Sequence, residues 1–142
     1  MTTRAQMSES AKFEGGHTEL MRAALEGQSE TVKALLESGA GGNAKDDEGR
    51  TALMFAVTNM HPETVKLLLE RGADVNARAN DGCTALMLAA SSGDTEIVRA
   101  LLSNGADVSG EFIETGKTAH MLANEKGYTE ITQLLREAGA EK

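Results

Sequence analysis

The sequence predicts an all-α fold, a solenoid of stacked helix-turn-helix units with hairpin loops along one edge. The first observation behind this prediction is a repeat, because Glu48–Val75 and Asp81–Val108 lie 33 residues apart, align without a gap and share 14 of 28 residues. The second is the spacing of apolar residues inside each copy, which is that of amphipathic helices. A fixed period of about 20 to 50 residues indicates stacked supersecondary units.

The repeated pattern reads Gly-x-Thr-x-Leu-Met-x-Ala, and after a short spacer Glu-x-Val-x-x-Leu-Leu and Gly-Ala. It occurs four times, and the last copy starts one residue late because of an insertion between Gly105 and Gly116. We therefore expect a repeat domain over residues 13–142, with repeats at about 13–45, 46–78, 79–112 and 113–142. Residues 1–12 are predicted to be an N-terminal extension, either disordered or folded as a partial capping helix.

Each copy opens with a threonine at the position of a helix N-cap, where its hydroxyl accepts a backbone N–H. These residues are Thr18, Thr51, Thr84 and Thr118. A short first helix follows, whose recurring methionines are predicted to pack in the core: Met21, Met54, Met87 and Met121. The second helix has apolar residues at i, i+3 and i+4, such as Val98, Leu101 and Leu102. A glycine then ends that helix, and turn-forming residues complete a hairpin.

The first and last copies depart most from the pattern. Glu19 replaces the alanine of the inner copies, and His120 replaces the leucine found at Leu53 and Leu86. Polar replacements are expected in terminal units, because their outer faces contact water. For the same reason we expect the chain to be a monomer.

Together these features resemble the ankyrin repeat. The 33-residue period, the Thr-x-Leu-x-x-Ala opening and the segment ETVKLLLERGADVNA match its pattern, and the resemblance covers about 130 of 142 residues. It implies an elongated, L-shaped stack in which hairpins project from one edge and the first helices line a concave face. It also implies that the contacts with partners are made mostly by hairpin tips and by exposed positions of the first helices.

Two departures from the family pattern have structural consequences. The recurring methionines occupy a position where the family favours histidine, so the histidine's hydrogen bond to the neighbouring hairpin should be absent. Met60 occupies the position between the two helices that is glycine in the other copies, namely Gly27, Gly93 and Gly127. If the backbone there is left-handed, the side chain costs on the order of 1 kcal/mol.

Composition excludes several classes of partner. The net charge is −8 and the pI is about 4.9, which argues against a general affinity for nucleic acids or anionic membranes. A single cysteine, Cys83, cannot form an intrachain disulfide, and we find neither an apolar run of membrane-spanning length nor the apolar stretch of a secretory signal. We therefore expect a cytoplasmic protein.

The sequence does not predict an enzyme, a cofactor or a metal site. Cys83 could act as a nucleophile with His17 or His61, but its repeat position is a hairpin tip with no histidine expected beside it. The three histidines, which include His120, fall in three repeats without the spacing of metal ligands. The glycines are accounted for by turns and helix ends, so they do not indicate a phosphate-binding loop.

We predict instead a non-catalytic protein-interaction module whose partner is a protein bound at the concave face and hairpin tips. The contact positions that the resemblance implies are Lys45, Asp47, Glu48, Arg50, Thr58, Asn59, Arg78, Asn80, Asp81, Cys83, Ser91, Ser92, Glu111, Phe112, Ile113, Glu114, Lys117 and Lys126. Because binding hot spots favour arginine, Arg50 and Arg78 are the predicted anchors, one repeat apart on the same edge.

Two questions stay open at the level of the sequence. Phe112 and Ile113 are the predicted apolar anchor if the irregular loop exposes them, and the alternative is that they fold under the last repeat. The module could also act as an inhibitor or regulator that occludes an enzyme or a transcription factor. A further alternative is a designed or structural repeat protein without a specific partner.

Overall fold

The fold is described from a computed structural model, which describes residues 14–139. The predicted N-terminal extension, residues 1–12, lies outside this range. Helices dominate the described part of the chain, and its pairing of extended backbone is a single antiparallel bridge between Glu111 and Thr118. The chain divides into two compact units, with the boundary between Asp74 and Val75. The residue bounds of the four repeats stay a prediction.

Unit 1 contains two helix pairs after a short 3-10 turn at Glu14–Gly16. The helices are α1 (Glu19–Leu25), α2 (Ser29–Glu37), α3 (Ala52–Thr58) and α4 (Pro62–Glu70). Helix α1 packs on α3 and α2 packs on α4, while each first helix also contacts the second helix of its own pair. Both repeats of the unit therefore bury one shared core, in which Val32 and Val65 are fully buried.

Unit 2 has the same arrangement. Its helices are α5 (Ala85–Ser92), α6 (Thr95–Ser103), α7 (Ala119–Glu125) and α8 (Thr129–Glu137). Helix α5 packs on α7 and α6 packs on α8, and the two helices of each pair contact each other. Ile97, Leu101 and Leu135 have no exposed surface, so the apolar stripe of the second helices forms the core of this unit.

The threonine caps begin every first helix as predicted. In each case the Thr hydroxyl accepts a hydrogen bond from the backbone N–H of the methionine three residues later, and the four N–O distances are 3.1, 3.4, 3.2 and 3.2 Å in chain order. The glycines that follow the second helices are left-handed, as Gly72 (φ 91°) and Gly105 (φ 86°) illustrate. Local signals in the sequence thus determine where the helices begin and end.

The C-terminal repeat differs from its prediction at two neighbouring positions. His120 was expected to reflect an outer face in contact with water, but it is 4% exposed. Met121 was expected in the core with the other recurring methionines, but it is 39% exposed, whereas Met21, Met54 and Met87 are buried. The recurring methionine is therefore a core residue in three of the four repeats. In α7, the first helix of the last repeat, Met121 faces water and His120 is buried.

Candidate functional site

The hairpin tips of unit 1 are stacked by a backbone hydrogen bond. Asp47 N donates to Gly15 O at 2.9 Å, so the tip that follows α2 lies against the turn that precedes α1. Within the second tip, Asp46 N donates to Arg50 O at 2.9 Å and closes the hairpin. Lys45, Asp47 and Glu48 are exposed on this fixed backbone.

The buried side chain of Asp46 stabilises that tip through hydrogen bonds. Its side chain is fully buried, and it accepts hydrogen bonds from Glu48 N at 3.0 Å, from Arg50 N at 2.7 Å and from Arg50 Nε at 2.9 Å. Burial alone raises the pKa of Asp46, but the hydrogen bonds from Arg50 and Glu48 outweigh it, and the net pKa lies below the usual value. The carboxylate is therefore ionised at neutral pH and stabilises the turn.

Arg50 is held by the same tip and not free to turn towards a partner. Besides the bond to Asp46, Arg50 Nη2 lies 2.6 Å from Glu48 Oε1. Its guanidinium carbon lies 5.0 Å from the centre of the Phe55 ring, within the range of a cation–π contact. The His17 ring meets that phenyl ring edge-on at 5.4 Å between centres. His17 Nε2 is 3.2 Å from Asp46 Oδ2, without the alignment of a hydrogen bond.

The ends of the first helices in unit 1 carry the other predicted contacts. Thr58 and Asn59 are exposed at the end of α3. Asn59 Nδ2 donates to Leu25 O, and His61 Nε2 is also paired with that oxygen, both at 2.9 Å. Because Leu25 is the last residue of α1, these two side chains cap the C-terminal end of α1.

The hairpin tips of unit 2 are stacked in the same way. Ile113 N donates to Asp81 O at 2.9 Å, and Arg78 Nη2 donates to Glu111 O at 3.0 Å. The contact is close, because a Cβ on Gly82 (φ 91°) would stand 2.5 Å from Glu111 O. Only glycine fits this backbone and this approach. Arg78, the second predicted anchor, is thus exposed and bonded to the next hairpin.

The irregular loop of unit 2 exposes its apolar residues unequally. Ile113 is 69% exposed, and Phe112 is half-buried. Phe112 lines an open depression together with Asp81, Glu114, Thr115 and Lys117. The alternative in which both residues fold under the last repeat does not describe this loop, since Ile113 lies on the surface.

Cys83 departs from its prediction as a contact residue. It is 8% exposed, and its Sγ lies 3.6 Å from Thr84 O. Burial, together with the nearby negative charge of Asp81, raises the pKa of the Cys83 thiol to about 11. Cys83 lies in the hairpin as predicted, but its side chain points into the protein. It is therefore not part of the candidate surface.

The remaining predicted residues of unit 2 lie at the surface. Ser91 and Ser92 are half-buried at the end of α5, and Lys126 is exposed at the end of α7. Lys126 Nζ donates to Ser91 O at 3.1 Å, the counterpart of the Asn59 bond in unit 1. Lys117 Nζ pairs with Glu125 Oε2 at 3.0 Å. Within the two units, exposed positions include Lys45, Asp47, Glu48, Thr58, Asn59, Arg78, Asn80, Asp81, Glu111, Ile113, Glu114 and Lys126.

Two features of the described residues concern metal binding and membrane spanning. Residues 14–139 contain no group of three or more His, Cys, Asp or Glu side chains placed to hold a metal ion. Every helix in that range is too short or too polar to span a lipid bilayer.

The fold and the exposed tips define a repeat protein built from helix pairs and stacked hairpins. A family model described as ankyrin repeats (3 copies) matches residues 4–79 and residues 77–142. The chain therefore belongs to the ankyrin-repeat family, and the predicted fold class, an ankyrin-repeat solenoid, is confirmed. A comparison with curated proteins gave no match. Ankyrin repeats are generally protein–protein interaction modules.

Several residues that hold the hairpin tips or the turns between paired helices were not predicted from the sequence. Asp46 lies at the start of the second repeat, where its role as a buried acceptor has no local sequence signature. The ring of His61 lies over Gly27, and that of Tyr128 lies over Gly93, where each would meet an added Cβ. Equivalent residues of successive copies lie one period apart. A bulky or polar residue that recurs directly after the inter-helix turn was therefore the sequence signal that could have identified His61 and Tyr128.

Proposed function

We propose that the chain is a non-catalytic module that binds a protein partner through its hairpin tips and the adjoining ends of its first helices. The observation that carries the proposal is that these tips are exposed while their backbones are fixed. Asp47 N to Gly15 O in unit 1 and Ile113 N to Asp81 O in unit 2 hold them in place. A surface that is ordered before binding loses little conformational entropy when a partner docks.

The charge of the surface supports a protein partner with basic character. The chain carries a net charge of −8, and carboxylates outnumber cations among the exposed tip residues. Complementary charge speeds association and selects among partners. An acidic surface repels nucleic acid phosphates and anionic lipids, so neither is proposed as a partner. A single buried thiol suits a reducing compartment such as the cytoplasm, and the working assembly in this proposal is a monomer.

The test is affinity capture from a lysate of the source cell with matched variants. Asp47→Lys/Ser92→Lys changes one hairpin tip and one first-helix end and places positive charge where a basic partner would dock. Glu63→Lys/Ser103→Lys makes the equivalent two substitutions on exposed second-helix positions, so both variants have the same net charge. We expect a protein that the wild type and the control retain and that the tip variant loses, with similar thermal melting of all three.

The outcomes separate the functions that use this surface. Equal capture by both variants would move the contact away from the tips and contradict the proposal. Once a partner is known, its activity is measured at saturation with the purified chain. Loss of the partner's activity would identify an inhibitor or regulator that acts by occlusion, whereas unchanged activity would identify a scaffold. No captured protein would favour a structural repeat protein without a specific partner.

A further inference from the structure

We infer that unit 2 binds a partner segment in which an apolar side chain is flanked by lysine or arginine. The inference rests on the proposed function and adds the chemical class of the segment. The site is the open depression lined by Asp81, Phe112, Glu114, Thr115 and Lys117, called the Phe112 depression below. All of its lining residues belong to unit 2.

The loop that forms the Phe112 depression has a defined conformation. Phe112 N donates to Lys117 O at 3.0 Å, and Gly116 N donates to Phe112 O at 2.8 Å. The antiparallel bridge between Glu111 and Thr118 closes the base of the loop. A fourth constraint is the bond from Ile113 N to Asp81 O, which ties the loop to the preceding hairpin. The residue inserted in this copy therefore extends the surface without leaving the loop unsupported.

Phe112 is the apolar residue that lines the depression, and Ile113 is its exposed neighbour in the chain. Three large hydrophobic residues of the described chain are exposed, and Ile113 is the most exposed of them, at 69% against 50% for Met60 and 39% for Met121. Ile113 is adjacent in sequence to Phe112, which lines the depression. Neighbouring apolar residues on a fixed surface, bordered by charged groups, are typical of an interaction site. A partner's leucine, isoleucine or phenylalanine would remove this surface from water.

The polar part of the site is acidic. Asp81 and Glu114 both line the depression and are exposed. Lys117 is the cation of the lining, and its Nζ is already 3.0 Å from Glu125 Oε2, so its charge is balanced locally.

The surroundings of the site are acidic as well. Glu111 is exposed beside it, and Arg78, which donates to Glu111 O, also lies near the negative charge of Asp107. Five carboxylates thus accompany two cations, namely Asp81, Asp107, Glu111, Glu114 and Glu125 with Arg78 and Lys117.

Charge and shape together select the occupant. An excess of carboxylates attracts a cation and disfavours an acidic segment. Lysine and arginine also carry an aliphatic stem that packs on apolar surface while the charged end stays in water. A segment with a cationic residue within one or two positions of an apolar one therefore matches both parts of the Phe112 depression.

The experiment uses the full chain and a displayed library of random 12-residue peptides. After selection on the immobilised chain, we expect enriched peptides to carry Leu, Ile, Phe or Met within two positions of Lys or Arg. The most enriched peptide is then synthesised with a fluorophore, and its affinity is measured by anisotropy. Ile113→Ser and Glu114→Lys should each weaken binding about tenfold, and Asp81→Asn about threefold. The matched control Glu70→Lys, an exposed acid on α4, should leave the affinity unchanged.

Other results would overturn the inference. Peptides without the apolar and basic pair, or peptides whose affinity is the same for Ile113→Ser, Glu114→Lys and wild type, would show that the Phe112 depression is not the site. Selection of no peptide would also reject it. These results leave the proposed function standing if the tip variant Asp47→Lys/Ser92→Lys still loses its captured partner. Neither of those two residues lines the depression, so the two proposals fail independently.

Discussion

Asn76 joins two successive hairpins of unit 2 through a hydrogen bond in which Asp107 N donates to Asn76 Oδ1 at 2.7 Å. The same side chain donates from Nδ2 to Gly105 O at 3.2 Å. One period earlier in the chain, Asn43 makes the identical pair of contacts in unit 1, with Asp74 N at 2.7 Å and Gly72 O at 3.3 Å. A single amide thus satisfies a carbonyl near the end of a second helix and orients the turn that follows it.

Removing the Asn76 amide should weaken unit 2. Asn76→Ala leaves Asp107 N and Gly105 O without this partner, and because the site is exposed to water we expect a loss of about 1 kcal/mol in the free energy of unfolding. Urea denaturation measures it. Asn104→Ala is the control, since Asn104 is also exposed but bonds only locally, to Ala100 O. Equal losses for the two variants would show that the contact between hairpins adds nothing.

Met60 should be a site where glycine stabilises the protein. Its φ is 57°, and the equivalent Gly27, Gly93 and Gly127 have φ of 73°, 81° and 76°. The backbone at Met60 is therefore left-handed, like that of the equivalent glycines. Since Met60 is 50% exposed, Met60→Gly removes strain and little packing. We expect a gain of roughly 1 kcal/mol in the free energy of unfolding, measured in urea.

The reverse substitution tests the cause of that gain. A Cβ on Gly127 meets no atom within 4 Å, so Gly127→Ala adds strain without a clash. It should lower stability by roughly 1 kcal/mol, a loss of the same size as the gain from Met60→Gly. A neutral Gly127→Ala would show that the backbone conformation is not the source of the effect.

The buried carboxylate of Asp46 should make stability depend on acid pH. Its pKa is lowered on folding, so the unfolded chain binds the proton more readily, and the stabilisation is complete only above the ordinary value of 3.8. It is lost as pH falls through the lower pKa of the folded state. Asp46→Asn should therefore cost about 2 kcal/mol at pH 7 and progressively less below pH 4. Urea midpoints between pH 7 and pH 3 measure this difference.

An exposed carboxylate provides the comparison for Asp46. Glu70→Gln removes the same charge from the surface of α4, and we expect no measurable change in the urea midpoint at either pH. If the cost of Asp46→Asn were as large at pH 3 as at pH 7, packing of the side chain and not its charge would be responsible.

The thiol of Cys83 should be protected in the native protein. With a pKa of about 11, roughly one thiol in a thousand is ionised at pH 8, and burial excludes the reagent as well. We expect slow reaction with Ellman's reagent in buffer and fast reaction in urea. The control is Ser103→Cys in a Cys83→Ser background, which places a thiol at an exposed helix end. Fast native labelling at Cys83 would mean that its hairpin opens readily.

The fold could be predicted because its signals are local. Thr84 caps a methionine N–H three residues away, and Gly105 follows its helix directly. Interactions within one repeat involve neighbouring residues, so the sequence of one copy contains both partners. The special backbone position of Met60 could also be recognised from the sequence, because the other copies have glycine at the equivalent position.

The site was less predictable because its contacts join different repeats. Asn76 reaches residues 29 and 31 positions away, and His61 pairs with a carbonyl 36 positions away. The recurrence of asparagine one period apart was a usable signal. The direction of the Cys83 side chain had no such signal. The insertion marked the Phe112 loop as irregular, but its exposure depends on hydrogen bonds that the sequence does not show.

The buried His120 should destabilise unit 2, and its replacement by leucine should stabilise the protein. It lies in α7 at 4% exposure, and neither ring nitrogen has a hydrogen-bond partner within residues 14–139. The inner repeats have Leu53 and Leu86 at this position, and both are 1% exposed. A buried polar group without a partner costs about 1 to 3 kcal/mol, so His120→Leu should raise the free energy of unfolding by about 1 to 2 kcal/mol.

The measurement for His120 is urea denaturation at pH 7, with Met121→Leu as the neighbouring control. Met121 is 39% exposed in the same helix, and exchange of methionine for leucine conserves volume, so we expect a change within about 0.5 kcal/mol. A gain for His120→Leu alone would assign the effect to the unpaired nitrogens, because both variants introduce the same side chain. A loss of stability for His120→Leu would instead show that the imidazole finds partners in solution that leucine cannot replace.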